Sequence, residues 1–179
     1  MRTNHFILLI FSLFVACKDD KATPAEWYAG CCDTAPQQLI VGTGRVSISN
    51  AFSPNSDGIN DIFVPLANSD IVLMQEFLIL DRDKNQIRKY TNFQPNDPLI
   101  SWNGIDGGSI YKGLFYYKIS AVNSLGESMT IEGSACSVVC EASGLPLPVT
   151  TPDGCVFPDQ LNSAGAPDPG VPTSDQKCF

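Results

Sequence analysis

Apolar residues in this chain come in short alternating runs, interrupted at close intervals by Gly, Asn, Asp and Pro. In Phe115, Tyr117, Ile119 and Ala121 the odd positions are apolar while Lys118 and Ser120 lie between, the two-residue period of a strand with one buried face. Asn123-Ser124-Leu125-Gly126 then supplies a turn, and Met129 and Ile131 alternate with Thr130 and Glu132 on the returning strand. Leu39-Ile40-Val41, Val46-Ser47-Ile48 and Ile62-Phe63-Val64 read as further strands. The run from Ile71 to Leu80 is long enough for one strand with its preceding turn. Neither a helical period nor an internal repeat emerges, so the pattern predicts an all-β fold, an immunoglobulin-like sandwich of about seven strands. Trp102 is expected to pack against its core; an exposed sugar-stacking platform is the alternative for so large an aromatic.

One stretch departs from alternation. Between the apolar edges Ala51-Phe52 and Ile62-Phe63-Val64, the segment Ser53-Pro54-Asn55-Ser56-Asp57-Gly58-Ile59-Asn60-Asp61 is almost wholly Asn, Asp, Ser and Gly. Such residues bond backbone N–H groups that a tight corner leaves unpaired, and Gly58 suits a positive φ. Asn55, Asp57 and Asp61 also frame Gly58 as ligands do in acidic calcium loops. An EF-hand register fails, however, because its twelfth place falls on Val64 where a bidentate Glu is needed. The expectation is therefore a metal-free turn network, with calcium at Asn55, Asp57 and Asp61 as the alternative.

This stretch resembles the opening signature of the gliding-motility-associated, CHU-type C-terminal domain of Bacteroidetes surface proteins, which runs Asn-Ala-Phe-(Ser/Thr)-Pro-Asn-Gly-Asp-Gly-Ile-Asn-Asp. Ser56 stands in place of the usual Gly. The resemblance continues in order through Phe77-Leu78-Ile79-Leu80-Asp81-Arg82 with Asn85, Trp102-Asn103-Gly104, and Gly113 leading into Leu114-Phe115-Tyr116-Tyr117-Lys118-Ile119, covering about residues 46 to 134. It implies the same immunoglobulin-like fold. Asp83-Lys84 replace the family's more usual aromatic and Gly, which implies a differently shaped turn.

At the N-terminus, Arg2 precedes an apolar run from Phe6 to Val15 that is too short to span a bilayer and fits a secretory signal peptide. Phe14-Val15-Ala16-Cys17 ends it as a lipobox would, so Cys17 is expected to carry covalent lipid. Lys18-Asp19-Asp20 resembles the short tag that sends Bacteroidetes lipoproteins to the cell surface. Removing residues 1–16 discards Arg2 and the only histidine, His5, leaving ten basic and nineteen acidic side chains. That balance makes nucleic acid an unsuitable partner, and loss of histidine excludes Ser-His-Asp, Cys-His and histidine-metal chemistry.

With Cys17 assigned to lipid, Cys31, Cys32, Cys136, Cys140, Cys155 and Cys178 remain, an even number that predicts three disulfides among fifteen connectivities. Two precede the signature and four follow the last strand, so the N-terminal segment and the tail are expected to be stapled together beside the sandwich. Adjacent Cys31 and Cys32 should each reach a distant partner. From Ser143 onward the chain holds seven of its thirteen prolines. Such a segment cannot fold alone but can be pinned by cysteines, with Leu145, Leu147, Val156 and Phe157 as apolar anchors. The division expected is a signal peptide over 1–16, a lipid anchor and tether over 17–37, the module over 38–138 and a Pro-rich pinned tail over 139–179.

The function expected is that of a non-enzymatic, surface-exposed outer-membrane lipoprotein acting as a structural or interaction subunit of an outer-membrane protein complex. One alternative is a calcium-assisted adhesion or glycan-binding module using Trp27, Tyr28 and Trp102. The other is a type IX secretion-related domain, the role the resemblance suggests for modules at the extreme C-terminus. A two-carboxylate hydrolase ranks last, because no acidic pair stands apart from the solvated charges.

Overall fold

The computed structural model describes residues 30–139, 154–162, 166, 168 and 170–175. The expectations for Cys17, Lys18, Asp19, Asp20, Trp27, Tyr28, Cys140, Leu145, Leu147 and Cys178 lie outside those residues.

The fold is all-β. Its strands are β1 (Gln37–Val41), β2 (Gly44–Ile48), β3 (Ala51–Phe52), β4 (Leu66–Ala67), β5 (Ile71–Leu80), β6 (Gln86–Phe93), β7 (Ile105–Asp106), β8 (Ser109–Ile110), β9 (Gly113–Asn123) and β10 (Ser128–Ser137). They form a three-stranded sheet in the order β1-β2-β4, a five-stranded sheet in the order β3-β10-β9-β5-β6, and a small β7-β8 hairpin. All pairings are antiparallel except β3 with β10, where Cys136 lies opposite Ala51. Val46 and Ile48 from the smaller sheet join Phe77, Ile79, Phe115, Tyr117 and Ile119 from the larger in one buried cluster, so the two sheets enclose a common core.

The inward residues expected in β9, Phe115, Tyr117, Ile119 and Ala121, are buried and Lys118 between them is half-buried, but Ser120 is buried as well, its hydroxyl paired with that of Thr130 at 2.7 Å. In β5 all ten residues are strand, without the turn expected at its start. Its inward residues Ile71, Met74 and Phe77 are three apart rather than two, because register shifts between Ile71 and Leu73 and between Met74 and Glu76 each absorb one residue. Ile62-Phe63-Val64 is not a strand but a single bridge, in which Phe63 and Trp102 exchange backbone hydrogen bonds of 2.8 and 3.0 Å. Strand β6 has no alternating apolar signal because it is an edge strand with only Ile87, Tyr90 and Phe93 packed on the core.

A second, smaller cluster lies at the parallel edge, where Cys31, Ala51, Cys136, Val138, Cys155 and Phe157 pack together. Cys31 is bonded to Cys155 and Cys32 to Cys136, with Cα separations of 4.9 and 5.7 Å. Each adjacent cysteine thus reaches a distant partner, as expected. They diverge because Cys31, Cys32 and Asp33 all adopt left-handed backbone, with φ of 51°, 57° and 55°. Cys31–Cys155 joins the N-terminal segment to the tail, and Cys32–Cys136 ties that segment to the end of β10. Val156 and Phe157, both buried, anchor the tail on its own sandwich.

Candidate interaction site: the asparagine-rich corner and the tail

The corner after β3 is built from its own side chains. Asp61 accepts from the backbone N–H of Ser56 and of Gly58, both at 2.6 Å, one on each carboxylate oxygen. Asn55 Oδ1 accepts from the N–H of Asp57 at 3.0 Å, and Asp57 accepts from the N–H of Ile59 at 2.9 Å. The Ser53 N–H donates to the Asn60 carbonyl at 2.8 Å and closes the loop. Ser56, Gly58 and Asn60 have φ of 64°, 91° and 53°. Each residue of the calcium alternative therefore carries a backbone donor. Among the described residues no three His, Cys, Asp or Glu side chains group as metal ligands.

The polar groups left over turn towards the tail. Asn50, fully buried, donates to the carbonyls of Thr34 and Gly154, both at 2.9 Å, and accepts from the N–H of Val156 at 2.8 Å. Its own carbonyl accepts from the N–H of Cys136 at 2.8 Å. One asparagine thereby ties together the N-terminal segment, β10 and the tail. Asn60 pairs with Asp159 in both directions: its amide donates to the carboxylate at 3.0 Å and its oxygen accepts from the N–H of Asp159 at 3.1 Å. Asp159 also accepts from the Thr173 hydroxyl at 3.0 Å and the Ser174 N–H at 2.6 Å. Gln160, in the short 3-10 turn Pro158–Gln160, braces the tail from inside by donating to the Val171 carbonyl at 2.6 Å. At the far end the Ser53 hydroxyl and the Asn55 amide donate to the two oxygens of Asp175, a carboxylate that is 2% exposed.

Trp102-Asn103-Gly104 supports the corner from behind. Trp102 is 1% exposed, its indole N–H donates to the Ile105 carbonyl at 3.1 Å, and its ring lies 4.9 Å from that of Phe115 and 5.3 Å from that of Phe52. Burial of Trp102 in the core removes it from the aromatics available for sugar stacking. Gly104 has φ 75°, and a Cβ there would lie 2.8 Å from Pro54 Cβ and Cγ, so the two motifs meet where only glycine fits.

The turn between β5 and β6 is organised by Asp81, which accepts from the N–H groups of Asp83 and Asn85, both at 2.8 Å, and from the Asn85 amide at 2.9 Å. These bonds, the Asn85 side chain first, hold its carboxyl below the usual aspartate value. Lys84 adopts φ 67°. Lysine here holds a left-handed backbone that glycine adopts more freely. Nearby, Glu76 on β5 bridges Lys89 of β6 at 2.8 Å and Lys118 of β9 at 3.2 Å. The bond from Lys89 is the largest influence holding the Glu76 carboxyl below its usual value.

The tail's contribution to this site, Asp159, Gln160, Thr173 and Asp175, has no counterpart among the sequence-based candidates. Composition marks the tail as polar and poorly folding, but no local spacing says which corner residue each side chain meets. Compared with protein-family models, with curated proteins and with solved structures, the chain matches none.

Proposed function

We propose that the chain is a non-enzymatic, lipid-anchored protein of the outer-membrane surface, serving as a structural or interaction subunit of an outer-membrane protein complex. The observation that supports this most is the use to which the signature residues are put. Asn50, Ser53, Asn55 and Asn60 recognise a polypeptide segment through amide-to-backbone and amide-to-carboxylate bonds, the chemistry of a protein contact. Lipid on Cys17 and export through Lys18-Asp19-Asp20 would hold that surface outside the cell.

Purification of the full-length protein in mild detergent tests the reading. Stable outer-membrane subunits should co-purify, and the Cys17→Ala protein should lose both fatty-acid labelling and the membrane fraction. A solitary protein that instead binds glycan arrays in a calcium-dependent manner would replace this reading with the adhesion alternative.

A further inference from the structure

We propose that the cleft between the outer face of the smaller sheet and the tail binds a small hydroxylated anion, a sugar-sized ring carrying one carboxylate or phosphate. Ligand binding there goes beyond the subunit reading and is independent of it. In β2 the inward residues Val46 and Ile48 enter the core, which turns Arg45 and Ser47 to the opposite face. Pro158 and Leu161 of the tail stand across from them, and the space between is about 760 Å³, within the roughly 300–1,000 Å³ of small-molecule sites. Both walls are held in place. On the sheet side Asn68 accepts from the Arg45 N–H at 2.9 Å and donates to the Thr43 carbonyl at 2.8 Å, which fastens the tip of the β1–β2 hairpin to the end of β4. On the tail side Asp159 is bonded to Asn60, and Gln160 to the Val171 carbonyl. The cleft is therefore formed by the fold itself.

The chemistry of the lining selects the ligand. Leu66, Ala67, Pro158 and Leu161 supply apolar patches, Arg45 and Thr43 stand exposed at the rim, and Ser47 is buried at the floor. Among the described residues the Arg45 guanidinium meets no carboxylate or other acceptor, and the Thr43 hydroxyl has no partner. Ser47 Oγ accepts from the Gln38 amide at 3.3 Å, which leaves its own proton to donate. Asp159, the acidic residue of the lining, has both oxygens bonded elsewhere, to Asn60, Thr173 and Ser174. The charge left to a ligand is thus positive. A guanidinium takes a carboxylate or a phosphate through two parallel N–H bonds, and the neighbouring hydroxyls bond hydroxyl groups of the same molecule. The apolar patches cover the C–H face of its ring. A neutral sugar would forgo Arg45, and a bare anion would leave Thr43, Ser47 and the apolar walls unmatched.

The test is a titration of the isotope-labelled full chain in mild detergent at constant ionic strength, followed by amide chemical shifts. The probes are glucuronate, glucose 6-phosphate, glucose and acetate, each added to about 20 mM, enough to detect a Kd of about 1–10 mM. Saturable shifts are expected at residues 43–47 and 158–161 with glucuronate or glucose 6-phosphate, and the tighter of the two tells carboxylate from phosphate. Glucose and acetate should each bind at least about tenfold more weakly. Arg45→Gln should weaken the anion at least about tenfold while moving the melting temperature by less than about 2 °C, because the guanidinium holds nothing in the fold. Thr43→Ala should weaken it about threefold. Absence of saturable shifts there with both anions, equal binding of glucose or acetate, or undiminished binding by Arg45→Gln would overturn the proposal. The comparison among the four probes uses the unmutated chain and decides even where a variant fails to fold.

Discussion

Ser56 holds a backbone conformation, φ 64°, that costs a residue with a Cβ roughly 1–2 kcal/mol. The glycine that the resembled signature carries at this place avoids that cost and loses about 0.5–1 kcal/mol in chain entropy. Ser56→Gly is therefore expected to raise stability by about 0.5–1 kcal/mol in urea unfolding, leaving the corner's bonds intact, because Ser56 contributes its backbone N–H to Asp61. Gly104 presents the opposite case. Gly104→Ala combines the left-handed strain with a 2.8 Å approach to Pro54, and should destabilise by about 2–4 kcal/mol in the same assay. A loss of about 1 kcal/mol, the left-handed strain alone, would show that Pro54 yields freely. Sequence resemblance marked both positions, yet only the backbone angles and the Pro54 contact explain why glycine belongs there.

Among the elements, the corner behaves as a hydrogen-bonded unit. Asp61→Ala removes both acceptors of the Ser56 and Gly58 N–H groups and should cost about 1–3 kcal/mol. Chelator or added calcium should leave the melting temperature of the unmutated protein unchanged. A calcium-dependent rise of several degrees, abolished in Asp57→Ala, would move the assignment to a metal loop. Across β6, β5 and β9, Glu76 links two lysines on the outer face of the larger sheet. Its folded carboxyl lies below the ordinary glutamate value, so its contribution is complete above that ordinary value and is lost as pH falls through the lower, folded one. Glu76→Gln should flatten the stability curve on that acid side, by no more than about 0.5 kcal/mol because the pair is partly solvated. An acid-side curve with the same slope in both proteins would show the triad to be without effect. Strand β9 was legible because its period of two is local, whereas β6 was not, since an edge strand buries too few side chains to alternate. The bulges of β5 disguised its period in the same way.

On the scale of the molecule, the Cys31–Cys155 and Cys32–Cys136 disulfides and the Asn50 hub bind three distant stretches of the described chain at the parallel edge. Replacing Cys31 and Cys155 together by Ser removes a link between residues 124 apart and should cost about 2–4 kcal/mol. Hydrogen exchange should then quicken at Val156 and Phe157 before it does in β9; equal exchange throughout would mean that the tail is not separately held. The all-β class, the inward face of β9, the turn chemistry of the corner and the need for Cys31 and Cys32 to part were all legible before folding, since each follows from residues near one another along the chain. The cysteine pairing and the meetings of Asn60 with Asp159 and of Ser53 with Asp175 came only with the folded chain. Those last two partners lie 99 and 122 residues apart. Polar side chains of this kind carry no periodic signal, and their partners are chosen only when the sheets and the disulfide have brought the tail against the corner.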